Sequence, residues 1–214
     1  MDLVELNRIF AKISQQERIH YGLSIFPNSV VTSRFGKYSA AILHMIVQVS
    51  QATPVIFIDT GKYTPQTYQH RDALQRSLNL LLYTYLVPSG GTKINALESA
   101  LIEHNADGWV SGVMRHETLE RKNFSYLMHR DDKIVKIHPI LDWSDQQAQQ
   151  YIHEHRLPLN ADDRDPDKTE GSECGIHLSK MPSANKDGAA RIPEASKEAR
   201  GQRISLKILW MFKS

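Results

Sequence analysis

The only cysteine among the 214 residues, Cys174, stands in the run Glu173-Cys174-Gly175-Ile176-His177-Leu178. A lone thiol cannot close a disulfide within its own chain and cannot supply the thiolates of an iron–sulfur cluster. If Cys174 does chemistry, it attacks alone, and an outside thiol must reset it. Free cysteine commonly behaves as a small buried hydrophobe. Here, however, the approach from Asp162 to Glu173 is crowded with charge, Pro and Gly and reads as an exposed loop. Gly175 lets the backbone come close to a ligand, and His177 can hydrogen-bond or charge-stabilise a thiolate. The thiol therefore reads as reactive rather than packed. Metal chemistry is not expected: His153-Glu154-His155 points its imidazoles to different faces of a helix, and there is no Cys pair for zinc.

A second set of residues suits an anionic ligand. Ser33-Arg34-Phe35-Gly36-Lys37-Tyr38-Ser39 lies between a short β-branched run, residues 29–33, and a strongly apolar helix from Ala40 to Val47. A strand, a turn with Gly and hydroxyls, and then a helix start aim unpaired amide N–H groups and the positive end of the helix dipole at one point. Lys37 adds a full charge there. The run is neither a Walker A loop nor a GxGxxG fingerprint, and an ordinary strand–helix turn is the competing reading. Asp59-Thr60-Gly61 closes a second strand, at the sheet edge where open α/β folds bind ligands.

The elements that must position these groups alternate along the chain. An amphipathic opening helix is predicted over residues 2–19 from Leu3, Leu6, Ile9, Phe10 and Ile13. Pro54 to Asp59 reads as a strand buried on both faces, and Pro65 to Leu78 as a helix with Pro in its first turn. Residues 80–86 form a strand, 88–92 a loop, and 95–105 a helix. Residues 108–112 form another strand, followed by a charged stretch holding Arg115 and Arg121, and 134–137 one more. Ser144 caps a helix running to about His155. Short apolar strands alternating with helices predict a doubly wound, mostly parallel α/β sheet with helices on both faces. The expected division is a nucleotide-binding α/β domain over residues 1–160, then a mobile segment over 161–214 carrying the cysteine and ending in the apolar run 204–212.

Composition bounds the function. The formal charge of +2 is too small to argue for non-specific nucleic-acid binding. No run of 18 apolar residues is present, and the first residues carry acids where a signal peptide has a basic region. One cysteine and no export signal lead to an expectation of a cytoplasmic protein.

The motifs together resemble the phosphoadenylyl-sulfate (PAPS) reductases, the thioredoxin-dependent and cluster-free branch of the sulfonucleotide reductases. Glu173-Cys174-Gly175-Ile176-His177 is similar to their ECG(L/I)H signature, and residues 33–40 to their modified PP-loop. Asp59-Thr60-Gly61 with Pro65-Gln66-Thr67-Tyr68 resembles their DTG…PETY segment. Gly112-Val113-Met114-Arg115 with Arg121 is similar to their arginine loop, and Pro139-Ile140-Leu141-Asp142-Trp143 to their P(I/L)xDW turn.

The resemblance implies the adenine-nucleotide α-hydrolase type of fold, usually as a homodimer, and attack by Cys174 on the sulfate sulfur of PAPS. That step leaves a Cys S-sulfonate, which a dithiol of thioredoxin or glutaredoxin resolves. Cys174 and His177 are the expected catalytic residues. Ser33, Phe35, Gly36, Lys37 and Ser39 are expected at the substrate, as are Asp59, Thr60, Gly61, Lys93, Arg115, Arg121 and Glu173. No bound cofactor or metal is expected. The choice between PAPS and APS (the same nucleotide without its 3′-phosphate) stays open. Two other readings remain: a PP-loop enzyme using ATP or transferring sulfur, and an inactive nucleotide-binding relative.

Overall fold

In the computed structural model of the chain, residues 2–162, 165–166 and 175–178 are described, Gly175 and Leu178 by backbone alone. Cys174, Glu173 and the apolar run 204–212 lie outside the described residues. Among the described residues six strands form one sheet: β1 (Val30–Thr32), β2 (Val55–Asp59), β3 (Leu82–Leu86), β4 (Gly108–Ser111), β5 (Leu127–His129) and β6 (Val135–Ile137). Their spatial order is β3-β2-β1-β4-β6-β5, and every pairing is parallel except that of β5 with β6. The doubly wound, mostly parallel sheet expected from the alternation of elements is the one observed.

Among the described residues seven α-helices accompany the sheet: α1 (Leu3–Phe10), α2 (Gln15–Ile25), α3 (Ser39–Val49), α4 (Pro65–Leu78), α5 (Lys93–Glu103), α6 (Asp145–Glu154) and α7 (Gly175–Leu178). The alternation of side chains along each strand divides them between the two faces. Val31, Val55, Phe57, Val110, Val135 and Ile137 point into a core built with α1, α2, α3, α4 and α6. Val30, Ile56, Ile58 and Trp109 point the other way, into a smaller core with Ala96, Leu97, Ala100 and Leu101 of α5 and, partly buried, Ile176 of α7. The chain winds outward from β1 to β3, then returns across the sheet to β4. The winding therefore reverses between β1 and β4, where the two adjacent strand ends part and leave a crevice.

Three local predictions are corrected. The opening helix is two helices, because Ser14 starts a second one with a reciprocal cap: its hydroxyl accepts from the Glu17 amide while the Glu17 carboxylate accepts from the Ser14 amide. Ser14-x-x-Glu17 is a start signal that the continuous apolar spacing masked. Helix α5 begins two residues earlier than predicted, since Thr92 rather than a later residue accepts the first free amide, that of Asn95. Strand β5 went unpredicted. It has only three residues, with burial falling from Leu127 to His129, so it has neither the length nor the apolar run of an interior strand.

An ion pair between a buried arginine and a partly exposed carboxylate ties the amino-terminal helices to the far end of the sheet. Arg18 on α2 donates from Nη1 to Asp142 Oδ1 at 2.6 Å and from Nη2 to Oδ2 at 2.9 Å, and it also reaches the carbonyls of Phe10 and Pro139. The guanidinium lies over the Tyr126 ring at 4.1 Å. Burial by itself would raise the Asp142 carboxyl, but the hydrogen bonds and charge of Arg18 outweigh it and hold the group below its ordinary value.

Candidate active site

A cleft with about 920 Å³ of empty space opens at the carboxyl ends of β1 and β4, where the winding reverses. Its floor is Thr32 of β1 with Ser33 just beyond it, Ser111 of β4 with Gly112 and Val113 beyond it, and Ile56 and Ile58 of β2. Four basic side chains line it: Arg34, Lys37, Lys93 and Arg121. Among the described residues one carboxylate of the lining, Asp165, faces them and pairs with Lys93, Nζ to Oδ1 at 3.0 Å. A pocket with such an excess of positive charge and partly apolar walls concentrates anions.

The loop from β1 to α3 forms one side. Phe35 holds a left-handed conformation, φ 58°, unusual for a bulky residue, and its ring is buried edge-on against Phe57. That bend is held from three directions. The Ser33 hydroxyl accepts from the Phe35 amide at 3.0 Å, the Asn160 amide group donates to the Phe35 carbonyl at 2.8 Å, and the Ser39 hydroxyl donates to the Gly36 carbonyl at 2.7 Å. Gly36 lets the Arg34 guanidinium lie close over the loop: a Cβ there would stand 2.7 Å from the guanidinium carbon, and the end of the Arg34 side chain would have to move aside. Helix α3 then starts without a side-chain cap, whereas α1, α2, α4, α5 and α6 each have one. Backbone carbonyls take its Ser39 and Ala41 amides instead, those of Gly36 and Tyr38, each at 3.1 Å, so what this helix start turns toward the cleft is the positive end of its dipole. Beside it the buried His70 imidazole, its basicity lowered by burial, stands 3.4 Å from the Ser39 hydroxyl.

The segment after β2 supports the site more than it lines it. Asp59 is buried, accepting from the Gly61 amide at 2.8 Å and from the Tyr68 hydroxyl at 2.7 Å. Burial and that bond to a carboxylate push the Tyr68 hydroxyl up to about 12. Gly61 makes the turn at φ +70°. Thr60 lines an adjoining recess with Lys62, Lys93 and the Pro88–Thr92 loop. Tyr63 walls the cleft, and Lys93 Nζ lies 5.6 Å from its ring centre.

The expected site residues are therefore placed unequally. Ser33, Gly36, Lys37, Ser39, Lys93, Arg121 and His177 meet at the cleft. Phe35 and Asp59 lie just outside its lining and shape it. Arg115, expected at the substrate, is not in the lining. Its Nη2 donates to the Phe124 carbonyl at 3.2 Å, and its guanidinium lies 6.0 Å from the Tyr126 ring centre. Of the two arginines only Arg121, ion-paired with Glu117, reaches the cleft. Sequence reasoning missed Arg34, Tyr63 and Asp165 at the lining and Asn160 behind it. Asn160 left no signal, because a buried amide serving one carbonyl has no spacing to recognise.

Helix α7 places the last group. Ile176 and His177 line the cleft, and the His177 imidazole stacks on the Trp109 indole with centroids 5.5 Å apart and planes 9° off parallel. Trp109 in turn donates from Nε1 to the Thr32 hydroxyl at 2.8 Å. The residue three positions after Cys174 is thus fixed against the cleft floor.

The family described as the phosphoadenosine phosphosulfate reductase domain matches residues 28–91 and 89–161, well over half of the chain. The chain belongs to that family. A phosphoadenosine 5′-phosphosulfate reductase of Xanthomonas campestris pv. campestris is 32% identical over 184 residues, covering 74% of this chain and 76% of that one. The protein of the same name from Xylella fastidiosa is 30% identical, covering 74% and 77%. Among solved structures, the PAPS reductase of Candida auris in its phosphate complex superposes with a TM-score of 0.64 at 24% identity, over 73% of this chain and 86% of that one. The FMN adenylyltransferase of Candida glabrata superposes at 0.58 and 14% identity, over 88% and 83%. These two likenesses carry the fold alone. Among the described residues no three His, Cys, Asp or Glu side chains cluster to hold a metal, and no helix is long and apolar enough to cross a membrane.

Proposed function

We propose that the protein reduces 3′-phosphoadenylyl sulfate to sulfite and adenosine 3′,5′-bisphosphate, with Cys174 as nucleophile and a thioredoxin- or glutaredoxin-type dithiol as reductant. The observation that carries this reading is the juxtaposition at one strand-end cleft of Arg34, Lys37, Lys93, Arg121 and the uncapped start of α3 with His177, three residues beyond the only cysteine. The cations and the helix start bind the phosphates and sulfate as charge-assisted partners.

The Cys174 thiolate attacks the sulfate sulfur. A new S–S bond forms, the bond from sulfur to the bridging phosphate oxygen breaks, and adenosine 3′,5′-bisphosphate leaves with that electron pair. Arg34, Lys37, Lys93 and Arg121 stabilise the charge that builds on the leaving phosphate. One thiolate of the reductant then attacks Cys174 Sγ and expels sulfite, forming a mixed disulfide. Its second thiolate releases Cys174, so the two electrons gained by sulfur come from the dithiol. We assign the nucleotide cleft to residues 1–160, the thiol-bearing segment to residues 161–214, a homodimer as the working assembly and the cytoplasm as its place of work. The test is sulfite release from PAPS with thioredoxin. Wild type is expected to release sulfite and Cys174→Ser to release none. Absence of sulfite from wild type, together with pyrophosphate release from ATP, would overturn the reading in favour of an ATP-using PP-loop enzyme.

A further inference from the structure

Lys136 is out of place for a strand residue. It occupies the middle of β6, opposite Trp109 in the register with β4, and is 1% exposed. Its side chain points to the face whose core is Val30, Ile56, Trp109 and Ile134, an apolar setting in which an ammonium is costly unless paired. Two partners on that face are clear. Nζ lies 5.0 Å from the centre of the Trp109 ring and donates to the His177 backbone carbonyl at 2.5 Å. Trp109 therefore presents its ring to both Lys136 and the His177 imidazole. Helix α7 packs on α5 beside them, with Ile176 against the same apolar cluster.

A four-residue helix cannot hold itself in water, so its position depends on what it docks against. A charge-assisted hydrogen bond from a buried ammonium to a carbonyl of its last turn is a strong polar tether for so short a helix. We infer that Lys136 is a positioning residue for the reaction: it anchors α7 through the His177 carbonyl and so sets where the preceding residue, Cys174, is presented to the substrate. Lys136 does not line the cleft, so it acts on the orientation of the nucleophile rather than on nucleotide affinity. This inference rests on the reading of Cys174 as the nucleophile of PAPS reduction.

The test is Lys136→Met, which keeps the length and packing of the side chain. Removing one partner of a buried charge-assisted hydrogen bond leaves the other unpaired and costs stability. The midpoint of thermal unfolding is therefore expected to fall while the variant stays folded at the assay temperature. Three readouts are expected. Hydrogen exchange in a peptide spanning residues 175–178 speeds up about 10-fold. Cys174 S-sulfonate formation at saturating PAPS, in a single turnover without reductant, slows about 100-fold, the scale of misplacing a reacting group by an ångström. The dissociation constant of adenosine 3′,5′-bisphosphate stays within about twofold, because the lining cations are untouched. Unchanged exchange, an unchanged sulfonation rate or lost nucleotide binding would each overturn the assignment. If wild type forms no sulfonate, the PAPS reading fails, and the exchange comparison alone still decides whether Lys136 anchors α7. Should Lys136→Met not fold, Lys136→Gln carries the same readings.

Discussion

The two faces of the sheet are built to different rules. One is covered by α1, α2, α3, α4 and α6 over a core of aliphatic and aromatic side chains, and the strand residues that face it are apolar. The other is covered by α5 and the short α7, and its strands turn Trp109 and Lys136 inward, with Arg130 lying 5.9 Å from the Trp109 ring centre and ion-paired to Glu98 of α5. The first face uses burial of apolar area, which is large and indifferent to orientation. The second spends charged groups, which contribute little to stability but hold particular atoms in particular places. The folding energy and the placement of the reactive segment thus sit on opposite sides of one sheet, and the cleft opens at their shared edge.

That contrast can be broken first on the sealed face. Phe57 is fully buried among Phe35, Tyr63 and Tyr68. Phe57→Ala should destabilise the protein by about 4 kcal/mol in urea unfolding. A loss under 1 kcal/mol would mean that this face does not carry the stability.

Asp142→Asn comes next. It leaves the buried Arg18 guanidinium without its carboxylate and should cost about 3 kcal/mol. The pair also predicts a pH dependence. Because Asp142 in the folded protein titrates below its ordinary 3.8, its contribution is fully present above that pH and is lost as the pH falls through the lowered value. Wild-type stability should therefore fall more steeply with acid than that of Asp142→Asn.

On the cleft side, Lys93→Met and Arg121→Met should each weaken adenosine 3′,5′-bisphosphate about 10-fold by calorimetry, with a smaller effect at high salt. Arg115→Met, its guanidinium directed to Phe124 and Tyr126, should weaken it far less than Arg121→Met. Equal losses would place Arg115 at the ligand after all. The smallest effect belongs to the outer surface of α5, where Ile102 is 76% exposed. Ile102→Ser should alter stability by no more than about 0.5 kcal/mol.

Much of this was legible in the sequence because it is written in short-range patterns. Pro65 and the apolar run Pro54–Asp59 mark their elements with local chemistry, and the helix predicted over Pro65–Leu78 is the helix observed. The thiol segment, the β1–α3 loop and the Asp59 turn could be found because their residue types sit close together in the chain. What remained hidden depends on pairs far apart in sequence. Arg34 and Tyr63 look like ordinary loop residues until the fold brings them to one cleft, and Arg115 and Arg121 could be told apart only by where the loop turns each side chain. Lys136 read as one polar letter in a short apolar strand. Only the register with Trp109 and the approach of His177 give it meaning.

The account stands on Cys174 meeting a sulfated nucleotide held in the cleft between β1 and β4. Intact-protein mass spectrometry after incubation with PAPS, in the absence of any reductant, tests this directly. One sulfonate adduct on wild type, absent from Cys174→Ser and released by thioredoxin, is the predicted result. No adduct on wild type, or an equal adduct on Cys174→Ser, would contradict it.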